Sequence, residues 1–122
     1  MTNPTVFVVD DDTAVADSVS ALLEADDFTV ETFSSAEEFL DAFDRSSSGC
    51  IILDLRLDGL NGLELLKKLR ADGVLLPAIM ISGHADDEIT TQALNQGAQV
   101  FLQKPFTADA LLSAVDQVMQ KG

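Results

Sequence analysis

The segment that most constrains the fold is the apolar run at 50–53, which ends abruptly at Asp54. Gly49 precedes this run, and a loop containing Gly59 and Gly62 follows it. A short apolar run between turn residues is typical of a strand that is buried on both faces of a sheet. Open α/β sheets bind their ligands at the carboxyl ends of such strands. Asp54 is therefore predicted to lie at a functional edge of the sheet.

The rest of the chain alternates strand patterns with helical patterns. Strands are predicted at 5–9, 28–33, 49–54, 76–81 and 99–102, and helices at about 13–26, 36–43, 63–71, 86–96 and 107–120. This alternation implies a parallel sheet with helices on both faces. We predict one doubly wound α/β domain over residues 1–122. The helix at 86–96 has only a weak apolar stripe, formed by Ile89, Ala93 and Leu94.

Charge and composition exclude several classes of protein. The formal net charge of −14 opposes binding of nucleic acid or an anionic membrane by this chain alone. No run reaches the roughly 18–20 apolar residues of a membrane span. The first residues lack the pattern of a signal peptide, so a cytoplasmic location is expected. The single cysteine, Cys50, lies in an apolar run and is interpreted as a buried core residue.

Acidic, hydroxyl and basic side chains follow four of the predicted strands. They are Asp10, Asp11 and Asp12 after the first strand, Asp54 after the third, Ser82 after the fourth and Lys104 after the fifth. Parallel strands deliver these residues to one edge of the sheet. Close carboxylates repel one another unless a cation joins them, and an oxygen-only cluster suits Mg²⁺. With a lysine and a hydroxyl to hold a phosphoryl group, the set predicts a carboxylate that forms an acyl phosphate. Asp12 is the expected N-cap of the first helix.

Four motifs together resemble the receiver domain of bacterial two-component response regulators. They are Val9-Asp10-Asp11-Asp12, Leu53-Asp54-Leu55-Arg56 with Gly62 beyond it, Ser82-Gly83 and Lys104-Pro105-Phe106. The resemblance covers essentially the whole chain and is closest to FixJ-like regulators. It implies a flavodoxin-like fold of five parallel strands in the order 2-1-3-4-5.

The resemblance also implies a role for each residue of the acidic edge. Asp54 would accept a phosphoryl group from a sensor histidine kinase. Asp11, Asp54 and the main-chain carbonyl of Arg56 would ligate Mg²⁺, while Asp10 would act mainly through water. Lys104 would bridge to the phosphate. The domain would catalyse only its own phosphorylation and dephosphorylation, and is not otherwise expected to be an enzyme.

Two further residues are implied to transmit the signal. Ser82 would be the switch hydroxyl, whereas Phe101 is either a core aromatic or a switch aromatic. The fourth helix, fifth strand and fifth helix would then change arrangement, with a homodimer through this face as a further hypothesis. A DNA-binding output domain is expected to follow the receiver in the full-length protein.

Two alternative functions remain open at this stage. The strand that leads to Asp10 superficially resembles the nucleophile strand of haloacid-dehalogenase-type phosphatases, in which Asp10 would be the nucleophile. A receiver-like binding module that is never phosphorylated is the other alternative. One departure from the family pattern is Leu57-Asp58, where Met-Pro is frequent; it puts the lifetime of the phosphate in doubt.

Overall fold

Strands and helices alternate along the whole of the computed structural model, which describes residues 4–44, 48–56, 61–83 and 87–119. The strands are β1 (Thr5–Val9), β2 (Thr29–Phe33), β3 (Gly49–Asp54), β4 (Ala78–Ser82) and β5 (Ala98–Gln103). The helices are α1 (Thr13–Ala25), α2 (Ala36–Ala42), α3 (Gly62–Ala71), α4 (Asp87–Asn95) and α5 (Ala108–Met119). No helix in these described ranges has the length and apolar character that a membrane crossing requires.

The strands form one parallel sheet in the order β2-β1-β3-β4-β5, which confirms the predicted flavodoxin-like topology. The central strand β3 is apolar because both of its faces are covered. Ile51 and Leu53 pack into the core on one face of the sheet, whereas Cys50 and Ile52 pack into the core on the other. The edge strand β2 is mostly exposed, as its alternating sequence predicts.

Several boundaries differ from the sequence prediction. β4 begins at Ala78 rather than at position 76, because Pro77 has no N–H for the sheet; its carbonyl oxygen accepts a bond from the Ile51 amide at 2.9 Å.

The apolar stripe predicted for α4 includes Leu94, but this side chain is 48% exposed. In α4 the inward position belongs to the small residue Ala93, and its neighbour Leu94 is turned about 100° away. The side chain of Ile89 lies outside the described residues.

The helix after the central strand starts in direct contact with that strand. A Cβ atom on Gly62 would lie 2.3 Å from the main-chain oxygen of Asp54, so only glycine fits at this position. The Gly62 amide donates to the Leu55 carbonyl at 3.1 Å. Asn61 caps α3 in a reciprocal capping box with Glu64. These contacts fix the position at which α3 begins relative to the end of β3.

Candidate functional site: a carboxylate cluster at the sheet edge

Three carboxylates meet at the carboxyl ends of β1 and β3. Val9 of β1 lies opposite Leu53 of β3 in the sheet, so the next residues, Asp10 and Asp54, are neighbours. One oxygen of each of Asp10, Asp11 and Asp54 lies within 4.8 Å of the others. Asp10 and Asp54 are buried, whereas Asp11 is accessible to solvent. The structure therefore brings together the acids that the sequence places after two different strands.

Both carboxylate oxygens of Asp54 have hydrogen-bond donors. Oδ1 accepts a bond from the Arg56 amide at 2.9 Å, and Oδ2 accepts one from Lys104 Nζ at 2.8 Å. The side chain is 7% exposed. The family resemblance implies a role for the carbonyl of Arg56, whereas the hydrogen bond from its amide to Asp54 is a finding of the structure. The two hydrogen bonds thus hold the Asp54 carboxylate in one orientation.

Lys104 is the cation of the cluster. Its amide donates to the Ser82 carbonyl at 2.7 Å, and the peptide bond to Pro105 is cis. Its ammonium group lies 2.8 Å from Asp54 Oδ2 and 3.7 Å from Asp10 Oδ2. Burial lowers the pKa of Lys104, but the hydrogen bond and the negative charge of Asp54, together with Asp10, outweigh burial and raise that pKa. Lys104 is therefore a positive charge held in place.

The environment of Asp10 disfavours the ionised form of its carboxyl group. Its Oδ1 accepts a bond from the Asp12 amide at 2.9 Å, but its buried Oδ2 has no hydrogen-bond partner in the described part of the chain. Burial, reinforced by the charge of Asp54, raises the pKa of Asp10 to about 6, although the Asp12 amide and Lys104 act in the opposite direction. A buried carboxylate oxygen without a donor, beside two more carboxylates, fits a hard divalent cation.

The structure also places the other residues that the sequence singles out, except those outside the described ranges. Ser82 is buried at the end of β4, one residue beyond Ile81, the residue opposite Asp54 in the sheet. Phe101 is half-buried in β5 and packs against the core on the face of the sheet that α3 and α4 cover. That packing is compatible with both interpretations of Phe101.

Leu57 and Asp58 lie outside the described residues. Asp12 caps α1 as predicted, accepting bonds from two amides of the first turn.

Known proteins with the same arrangement identify the relatives of this chain. The family model described as the response regulator receiver domain matches residues 6–116. The transcriptional regulatory protein FixJ of Bradyrhizobium diazoefficiens is 38% identical over 116 residues, which cover 95% of this chain and 57% of that protein. For the transcriptional regulatory protein TdiR of Thauera aromatica the identity is 43% over 115 residues, 94% of this chain and 51% of that protein.

A solved structure of the response regulator StyR superposes with a TM-score of 0.92 at 42% identity, covering 98% of this chain and 60% of that chain. The chain spans about half the length of the curated relatives that it matches. The similarity in sequence and in fold therefore concerns one portion of those longer proteins.

The buried charge of Asp10 leads to a prediction about stability. In the presence of a chelator, Asp10→Asn should raise the free energy of unfolding by about 1–3 kcal/mol, because a desolvated charge is removed from beside Asp54. Urea denaturation measures this difference. Asp17→Asn, which removes an exposed charge from α1, is the matched control. If the two variants are equally stable, the repulsion ascribed to Asp10 is absent.

Proposed function

The chain belongs to the response regulator receiver family, and we propose that Asp54 is its phosphoacceptor in a signalling switch. The observation that carries the proposal is the set of contacts that the Asp54 carboxylate makes. It is fixed by the Arg56 amide and by Lys104, and it lies among acids able to hold a cation. Asp10 would be the less accessible acceptor, because its side chain is 0% exposed whereas that of Asp54 is 7% exposed. Receiver domains act in signalling rather than as conventional enzymes.

The proposed donor is the phosphohistidine of a sensor histidine kinase, the partner that the family implies. An Asp54 oxygen would form a bond to phosphorus as the phosphorus–nitrogen bond breaks, and the electron pair of that bond would remain on the imidazole nitrogen. Lys104 already touches the carboxylate oxygen at 2.8 Å. Its ammonium group can therefore follow the charge onto a phosphoryl oxygen with little movement. Hydrolysis of the product would return Asp54 to its free state.

The residues present fit Mg²⁺ as the cofactor of this reaction. Asp10, Asp11 and Asp54 would supply carboxylate oxygens. The main-chain carbonyl of Arg56 would complete the proposed set, with Asp10 acting mainly through water. When bound, Mg²⁺ supplies positive charge that offsets the negative phosphoryl oxygens. The protein's part is to keep these acids together despite their repulsion.

The proposed output is a rearrangement of α4, β5 and α5. A phosphoryl group brings a charge of about −1.5 to −2 in place of one carboxylate charge. Ser82 would bond to it, and Phe101 would turn into the space that is released. Since the relatives are named as transcriptional regulatory proteins, we propose that this rearrangement controls an attached DNA-binding domain in the full-length protein.

Chemical mapping of the phosphoryl group tests the acceptor directly. After incubation with acetyl phosphate and Mg²⁺, reduction with borohydride converts a phosphorylated aspartate to homoserine, which mass spectrometry locates. We expect homoserine at position 54 in the wild-type chain and no label in Asp54→Asn. Homoserine at position 10 would instead support the phosphatase-like alternative, and no homoserine at all would support a module that is never phosphorylated.

The proposed homodimer on phosphorylation is tested by analytical ultracentrifugation. Adding Mg²⁺ and beryllofluoride, a phosphoryl mimic, should raise the mass of the wild-type protein toward that of a dimer. Leu94→Ser on α4 should weaken this change, because Leu94 is a large apolar side chain that is 48% exposed. Leu75→Ser, which alters an even more exposed leucine between α3 and β4, is the control and should behave as wild type. An unchanged wild-type mass contradicts the proposal.

A further inference from the structure

Arg70 joins three segments of the chain at the edge of the sheet opposite Asp54. It lies near the end of α3, and its guanidinium group donates four hydrogen bonds. Nη1 donates to the Val74 carbonyl at 2.8 Å, and Nη2 donates to the Leu76 carbonyl at 2.8 Å. Nε donates to the Gln96 carbonyl at 3.2 Å, and Nη2 also to the Gly97 carbonyl at 3.3 Å. One side chain thereby links α3, the loop before β4 and the turn between α4 and β5.

The charge of Arg70 complements the end of α4. Carbonyl groups at the carboxyl end of a helix carry partial negative charge and lack partners within the helix. The last turn of α4 contains no basic residue. Arg70 supplies a cation from another helix, and its rigid planar fork reaches the carbonyls of Gln96 and Gly97, the two residues that directly follow α4. Burial lowers the pKa of Arg70 but leaves it protonated at neutral pH.

The described side chains of α4 bury little apolar surface. Of the α4 side chains that the structure describes, at positions 88 and 90–95, only Ala93 is buried. An alanine buries little apolar surface. The hydrogen bonds of Arg70 to Gln96 and Gly97 add a polar attachment where apolar burial by the described side chains is small. The beginning of α4, in contrast, follows Ser82 by only five residues and lies toward the phosphoacceptor edge.

We propose that Arg70 is a positioning residue that clamps the carboxyl end of α4 and makes it the fixed pivot of the switch. The clamp itself is independent of phosphorylation, whereas its role as a pivot rests on the proposed function of Asp54. A nine-residue helix is about 13 Å long. A rotation of about 10° around the clamped end would move the beginning of α4 by about 2 Å. Small changes beside Ser82 would thus be converted into a directed swing of α4.

Hydrogen exchange of the unphosphorylated protein tests the clamp. In Arg70→Met, amides at 93–97 should exchange at least 10-fold faster, while those of β1 change no more than in the control Lys67→Gln. Lys67→Gln removes an exposed positive charge from the same helix. Arg70→Lys keeps the charge but loses the fork, so it should show the same local effect, and it serves alone if Arg70→Met does not fold. A uniform increase in exchange, or none, overturns the clamp.

The same measurement with Mg²⁺ and beryllofluoride tests the pivot. In the wild-type protein, exchange should change at 87–90 but not at 94–97, and in Arg70→Lys the change should extend to 94–97. An equal change at both ends of wild-type α4 would refute the pivot while leaving phosphorylation intact. If the mimic alters exchange neither around Asp54 nor in α4, the proposed function fails, and with it the pivot.

Discussion

The ion pair between Lys104 and Asp54 is the interaction on which the edge of this sheet depends. Asp10 and Asp54 are buried at the carboxyl ends of adjacent strands, where water cannot screen their repulsion. Lys104 lies 2.8 Å from one and 3.7 Å from the other, so one cation serves two acids. It does not satisfy them completely, since Oδ2 of Asp10 keeps no hydrogen-bond partner among the described residues. The site therefore keeps a buried carboxylate oxygen to which an additional cation would be attracted.

The parallel topology makes this arrangement possible. The apolar stretches of β1, β3, β4 and β5 are each followed by a polar residue of the site, namely Asp10, Asp54, Ser82 and Lys104. The register of β1 and β3 places Asp10 beside Asp54. The bond from the Lys104 amide to the Ser82 carbonyl, at 2.7 Å, fixes the lysine relative to β4. Gly62 then allows α3 to begin against the Asp54 backbone. The electrostatics of the cluster thus follow from contacts between main-chain atoms, which leave its side chains little freedom.

The alternation of strands and helices and the membership of the acidic cluster could be predicted because they depend on local patterns, whereas the order of the strands followed only from the resemblance to receiver domains. Apolar runs that end in Asp10 or Asp54 identify strands and their functional ends without any knowledge of distant contacts. Leu94 was placed wrongly because a weak apolar stripe does not say which of two neighbouring positions faces the core. Arg70 was missed for a different reason: the acceptors of its bonds in the turn before β5 are main-chain carbonyls 26 and 27 positions away, and carbonyls have no sequence signature. The lack of a basic residue in the last turn of α4 was the only available signal.

If the proposed function is correct, Asp54 receives the phosphoryl group and the Lys104 ammonium group moves from the carboxylate to a phosphoryl oxygen. A crystal structure of the chain with Mg²⁺ and beryllofluoride tests both parts at once. We expect beryllium bonded to an Asp54 carboxylate oxygen, with Lys104 Nζ in contact with a fluoride and Mg²⁺ among the three carboxylates. Beryllofluoride bound to Asp10, or an Asp54 carboxylate still paired with Lys104 at saturating beryllofluoride, would contradict it.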